Sequence, residues 1–144
     1  MFQFLKKTKP GKDINSNSEL LLKTAALLIH AAKIDEKYSI NEKELIKKAL
    51  IELGIDVSKI NKTISNAEIY EKNSNQIIDF TKVIKNSDIK FKIKVVETLW
   101  TIIYSDNNAD MYESNLMRRL SGLLYIEDKI IGEIKEKIKS RLSK

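Results

Sequence analysis

Two short acidic stretches hold most of the side chains in this sequence that could do chemistry. Asp35-Glu36-Lys37-Tyr38-Ser39-Ile40-Asn41-Glu42 and Asp106-Asn107-Asn108-Ala109-Asp110-Met111-Tyr112-Glu113 share the pattern D-x-x-x-[S/D]-x-x-E. Carboxylates are hard oxygen ligands, and Asp35, Glu42, Asp106, Asp110 and Glu113 together could hold Ca²⁺ or Mg²⁺ with water. The same residues have a purely local use. Ser39 and Asp110 are good N-caps, accepting from backbone N–H groups at the start of the next helix. Glu42 and Glu113, three residues on, complete capping boxes by reaching back to the cap N–H. Their charge also meets the positive end of the helix dipole. Asp35 and Asp106 close the preceding helix through Asx-turns. Capping and cation binding both remain open at this level. An EF-hand does not: Asp106, Asn108 and Asp110 imitate its first three ligand positions, but Met111 stands where that loop needs Gly and Met117 where it needs a bidentate Glu.

The rest of the chemical inventory is thin. There is no cysteine, so disulfides and thiolate metal sites are excluded. The single histidine, His30, sits in an apolar helical stretch, a place for a packed or rim residue rather than a base. G-x-S-x-G, P-loop and H-E-x-x-H motifs are all missing. A paired-carboxylate hydrolase built on Asp35 and Asp106 is conceivable. Capping explains those residues more simply, so the chain is not expected to be an enzyme, and no cofactor beyond Ca²⁺ or Mg²⁺ is suggested.

The elements that must position the turns are helical. The chain has 144 residues, the size of one domain. From Glu19 onward apolar residues recur at helical spacing. The first helix carries Leu20, Leu21, Leu22, Ala25, Ala26, Leu28, Ile29 and Ala32, apolar on most sides, so a central place is expected for it. The second carries Leu45, Ile46, Ala49, Leu50 and Leu53 and stops at Gly54, a C′ residue. Val57, Ile60, Ile64 and Ala67 predict a third helix, and Ile77, Ile78, Thr81 and Ile84 a short fourth. The fifth runs through Phe91, Val95, Val96, Leu99, Trp100 and Ile103, the sixth through Leu116, Met117, Leu120, Leu123 and Leu124, and the last from Ile130 through Ile134 and Ile138 to Leu142. No segment alternates with period two for long enough to form a strand. The expectation is an all-α, compact bundle of about seven helices. Residues 1–18, polar for the most part and without periodicity, are expected to be a flexible N-terminal tail, and residues 19–144 a single helical domain.

A self-comparison adds a layer. Leu28–Asp56 lies on Leu99–Glu127 without a gap at an offset of 71, with Leu28, Asp35, Glu42, Leu45, Leu53 and Ile55 falling on Leu99, Asp106, Glu113, Leu116, Leu124 and Ile126. These identities sit on the apolar stripe and the acidic turn. Two related helix-turn-helix halves are the expectation; two unrelated hairpins with a common hydrophobic pattern are the alternative.

Charge says little about partners. Lys and Arg number 26 against 20 Asp and Glu, but the only arginines are Arg118, Arg119 and Arg141. Arg is the usual reader of phosphate forks and guanine edges, so the net +6 is weak support for a nucleic-acid partner. A basic surface that binds nucleic acid or anionic membrane is the alternative to a module that binds a partner protein. The last helix mixes Glu133, Lys135, Glu136, Lys137, Lys139 and Arg141, a solvated ion-paired face. Phe2, Phe4 and Leu5 could give the N-terminal segment a peripheral contact with a membrane. No apolar run reaches the roughly 20 residues needed to span a bilayer, no secretory signal is evident, and cysteine is absent. A cytoplasmic location is expected.

The acidic turns carry a family resemblance. The chain resembles the TerB-like family of small helical proteins, whose signature is a helix ending in A-D-G, then an aliphatic residue, Asp or Ser, and Glu opening the next helix, present twice. Tyr104-Ser105-Asp106-Asn107-Asn108-Ala109-Asp110-Met111-Tyr112-Glu113, followed by Leu116-Met117-Arg118-Arg119, is similar to the form found in one bacterial branch, as are Leu99-Trp100 and Ile78-Asp79-Phe80-Thr81. The likeness spans about residues 19–142. The signature Gly is Glu36 in the first copy and Asn107 in the second, and the first-copy cap is Ser39 rather than Asp. The resemblance implies an all-α domain of two related halves, a metal site on the acidic turn residues, links to stress or tellurite-resistance operons and, in one relative, to a membrane-anchored J-domain co-chaperone.

Overall fold

The computed structural model describes the backbone of residues 2–34, 38–74, 76–104 and 111–142, and the side chains of residues 18–34, 38–74, 76–104 and 115–142. Among these residues there are seven α-helices and no strand. In chain order they are α1 (Phe2–Lys33), α2 (Ile40–Glu52), α3 (Ile60–Asn73), α4 (Ile78–Ile84), α5 (Ile89–Tyr104), α6 (Met111–Leu123) and α7 (Asp128–Leu142), with a 3₁₀ turn at Val57–Lys59 before α3. The all-α bundle expected from periodicity is what forms.

α1 is the central helix. Ala25, Ala26, Leu27, Leu28 and Ile29 are all fully buried, which a helix achieves only when neighbours surround it. Those neighbours are α2, α3, α4 and α5. A second packing centre lies on α5, which contacts α7 as well as α1 and α2. Trp100 of α5 is buried there, and its indole N–H donates to the Ile131 carbonyl at 3.3 Å, giving the one polar atom of a large apolar ring a partner. Phe80 on α4 is buried against His30 and Tyr70, with ring centroids 5.7 Å apart in each case.

Two details depart from the periodicity. α1 begins at Phe2 rather than Glu19, so the backbone across most of the expected tail is helical. Val57 is not part of α3; it opens the 3₁₀ turn and is exposed. Asp56 caps that turn, its side chain accepting from the Ser58 N–H at 3.2 Å, and this local cap takes precedence over the apolar spacing.

α2 and α6 have bounds offset by 71 residues and end with the same hydrogen bonds. The Ile55 N–H donates to Leu50 O and the Gly54 N–H to Ile51 O; the Ile126 N–H donates to Ser121 O and the Tyr125 N–H to Gly122 O. Both are Schellman endings. Each puts its C′ residue at positive φ, +123° for Gly54 and +58° for Tyr125. Buried pairs at the same offset include Leu28 with Leu99, Ile46 with Met117 and Ile55 with Ile126.

Candidate functional site

Of the sequence-predicted site residues, Asp35, Asp106, Asp110 and the side chain of Glu113 lie outside the described residues. The rim of the first acidic turn is described, and it is built from three helices. On α2, Ser39 and Glu42 form a reciprocal capping box. The Glu42 N–H donates to the Ser39 hydroxyl oxygen at 3.2 Å, and the Ser39 N–H donates to Glu42 Oε1 at 3.0 Å. Glu42 is 5% exposed, and the N–H donors and positive dipole end of the helix start help to stabilise a carboxylate so buried.

The third helix, α3, holds the rim through two carboxylates that the sequence pattern did not mark, and α1 supplies partners for one of them. Glu71 on α3 takes two partners from the end of α1, the Lys33 ammonium at 2.8 Å and His30 Nδ1 at 3.2 Å. One turn earlier on α3, Glu68 accepts from the Tyr38 hydroxyl at 2.8 Å and pairs with Lys43 at 3.1 Å. Burial and the Glu68 carboxylate beside it push the Tyr38 phenol well above its ordinary range, so it stays a donor. Each α3 carboxylate thus balances two donors, and α3 clamps the end of α1 and the start of α2 around the turn. His30, expected as a packed or rim residue, is half-buried as a member of this clamp. Glu68 and Glu71 gave one weak sequence signal, a spacing of three on the polar face of an amphipathic helix.

This arrangement can hold a loop in a fixed shape; it does not assemble a nucleophile and base. Among the described residues no group of three or more His, Cys, Asp or Glu side chains is placed to hold a metal ion, so a cation site here would need the turn's own carboxylates. Near the second turn, Trp100 and Tyr104 stack at 5.8 Å with planes 23° apart. Lys135 of α7 lies 5.4 Å from the Trp100 centroid, and Lys137 pairs with Glu97 at 2.9 Å. Within the described residues, no helix is long and apolar enough to cross a membrane.

A family model described as tellurite resistance protein TerB matches residues 21–136. No curated protein and no solved structure matches the chain.

Proposed function

Because the chain belongs to the TerB family, a family of tellurite-resistance-related helical modules, we propose that it is a non-enzymatic interaction module that binds a divalent cation at its paired acidic turns. Asp35, Glu42, Asp106, Asp110 and Glu113 would supply oxygen ligands and water the remainder, a donor set for Ca²⁺ or Mg²⁺. The observation that carries the reading is the clamp at the first turn. Glu68 and Glu71 are each matched with two donors, so the carboxylates the cation needs are those of the turn itself, on a rim held by the Ser39–Glu42 box. The Lys94–Glu52 ion pair also supports it. That pair puts the start of α5 beside the end of α2 away from the first turn. The proposal requires the second acidic turn, which follows α5, to lie on the same side as the first. A cytoplasmic setting and a partner protein belong to this proposal, resting on the cysteine-free composition and the lack of catalytic motifs.

Isothermal titration with Ca²⁺, Mg²⁺ and Zn²⁺ tests the cation. Heat of binding is expected with Ca²⁺ or Mg²⁺, together with a rise in Tm that Asp35→Ala and Asp106→Ala each remove. Absence of heat, or a metal-dependent Tm that neither substitution changes, discards the site. Metal-dependent turnover in a phosphatase and nuclease screen would overturn the non-enzymatic reading.

A further inference from the structure

Lys92, in the first turn of α5, is the only buried lysine among the described residues, at 7% exposure. A lysine so covered is ordinarily paired. Lys23, Lys33, Lys43, Lys47, Lys94 and Lys137, all more exposed, each reach a carboxylate. Lys92 does not: its ammonium makes neither an ion pair nor a hydrogen bond. What it meets is the Tyr125 ring, with the nitrogen 5.9 Å from the centroid. A second ammonium, that of Lys85 at the end of α4, lies 5.4 Å from the same centroid and is likewise without a carboxylate. The acidic residues closest in sequence are engaged elsewhere or stand apart. Asp88 accepts from the Phe91 N–H at 2.9 Å and Asp128 from the Ser121 hydroxyl at 2.6 Å, and the exposed Glu127 pairs with neither lysine. Two positive charges are thus gathered around one ring that is 69% exposed. The charges repel each other, and a ring face compensates an ammonium only weakly and accepts no strong hydrogen bond from it. A covered polar group left in this state lacks an acceptor. The shared hairpin does not impose the arrangement, since Leu21 and Gly54 stand at the positions equivalent to Lys92 and Tyr125.

We propose that Lys92 and Lys85, beside Tyr125, bind a phosphoryl group. An oxygen of the phosphoryl group accepts the hydrogen bond that the Lys92 ammonium lacks, and Lys85 supplies a second positive charge. A doubly charged oxyanion suits two ammonium groups better than a singly charged carboxylate, and lysine meets phosphate as a point charge, with no bidentate geometry to satisfy. The openness of Tyr125 leaves the site accessible from solvent. The inference is independent of any cation at the acidic turns, because Tyr125 follows α6 whereas the second turn precedes it.

The test is amide chemical-shift titration of the full chain with inorganic phosphate, glycerol 2-phosphate and, as a control, acetate. Ionic strength is held constant, because exposed charges are screened by salt, and the pH is about 7.5, where phosphate esters are largely dianionic. Saturable shifts centred on Lys85, Lys92, Tyr125 and Ile126 are expected with both phosphates, and much weaker ones with acetate. Tighter binding of glycerol 2-phosphate assigns the site to a phosphate ester, and tighter binding of inorganic phosphate to the free ion. Lys92→Met keeps the apolar stem and should weaken phosphate by about tenfold or more; Lys85→Met should weaken it by about threefold, and Lys90→Met, at an exposed position on the same helix, should leave it unchanged. A lysine kept only for packing would alter Tm equally with and without phosphate. The proposal expects instead that phosphate raises the Tm of the native sequence and not that of Lys92→Met. Should Lys92→Met fail to fold, judged by circular dichroism, Lys85→Met carries the test. Shifts absent from this region, acetate binding as tightly as phosphate, or phosphate affinity unchanged in the folded variants would each overturn the proposal.

Discussion

At the end of α2 stands Gly54, and at the end of α6 stands Tyr125, in the same hydrogen-bonded ending and both with positive φ. Glycine adopts that conformation without a steric cost. Tyrosine pays a cost of about 1–2 kcal/mol for it, offset in part by the two lysines around its ring. Buried positions of the two hairpins match, whereas the residues over the turn do not: a glycine beside a cleft stands in one and an exposed tyrosine in the other. The third helices differ further. Glu71, late in α3, meets Lys33, late in α1; Lys137, late in α7, meets Glu97 in the middle of α5, ahead of the Trp100 that Ile131 contacts. The core positions therefore constrain the hairpin, and what is built on its open end is free to diverge.

The comparison would be broken most directly at Leu28 and Leu99, both fully buried and equivalent at the 71-residue offset. Leu28→Ala and Leu99→Ala should each cost about 2–5 kcal/mol, measured by urea denaturation. If one is tolerated with a loss below about 1 kcal/mol, the two positions do not play the same part. Next come the helix ends. Gly54→Ala should cost about 1–2 kcal/mol, because alanine takes on the positive-φ penalty. Tyr125→Gly relieves a similar strain but loses the cation–π contacts and gains unfolded-state freedom, so its effect should fall within about 1 kcal/mol of zero. Equal losses from the two substitutions would mean that the endings are not equivalent.

How much of this was legible in the sequence follows from what each feature depends on. The seven helices were legible because Ile46, Leu50, Val95, Leu99, Ile134 and their like must face inward, and burial writes a period into the chain. The ending at Gly54 was legible because glycine at C′ has a local cause. The same ending at Tyr125 was not, since a non-glycine residue accepts positive φ only where its surroundings hold it there. Before Glu19 the sequence holds no apolar period from which a helix could be read. At the site, the Ser39–Glu42 box was visible because capping acts within four residues. The pairs that Glu68 and Glu71 make were not, because their partners are 25 to 41 positions away and only the packing of α1 and α2 on α3 brings them together.

The capping box offers a smaller and sharper test of the two halves. Ser39→Ala removes the acceptor for the Glu42 N–H and should cost about 1 kcal/mol, read as a lower urea midpoint at unchanged m-value. Asp110→Ala should cost a similar amount if Asp110 caps α6 as the sequence pattern expects. A neutral Asp110→Ala beside a damaging Ser39→Ala would confine the box to the first hairpin.

The smallest expected effect concerns a contact that the internal offset cannot reproduce. Lys94 of α5 pairs with Glu52 at the end of α2. Its counterpart Lys23 has Leu123 where Glu52 would be, and instead pairs with Glu19 on its own helix at 3.1 Å. The Lys94 ammonium, through its hydrogen bond and charge, holds the Glu52 carboxyl below its ordinary pKa. A carboxyl whose pKa is depressed in the folded state adds stability above its unfolded value, about 4.3, and that contribution is lost as pH falls through the folded value. Stability of the native sequence should therefore decline over this acidic window, and Lys94→Met should flatten the decline while lowering neutral-pH stability slightly. Both side chains are substantially exposed, so the pair should be worth about 0.2–1 kcal/mol, less at high salt. Parallel urea titrations at pH values on either side of the window, with and without the substitution, would detect it. Identical pH dependence in the two proteins would show that the bridge between the halves contributes no measurable stability.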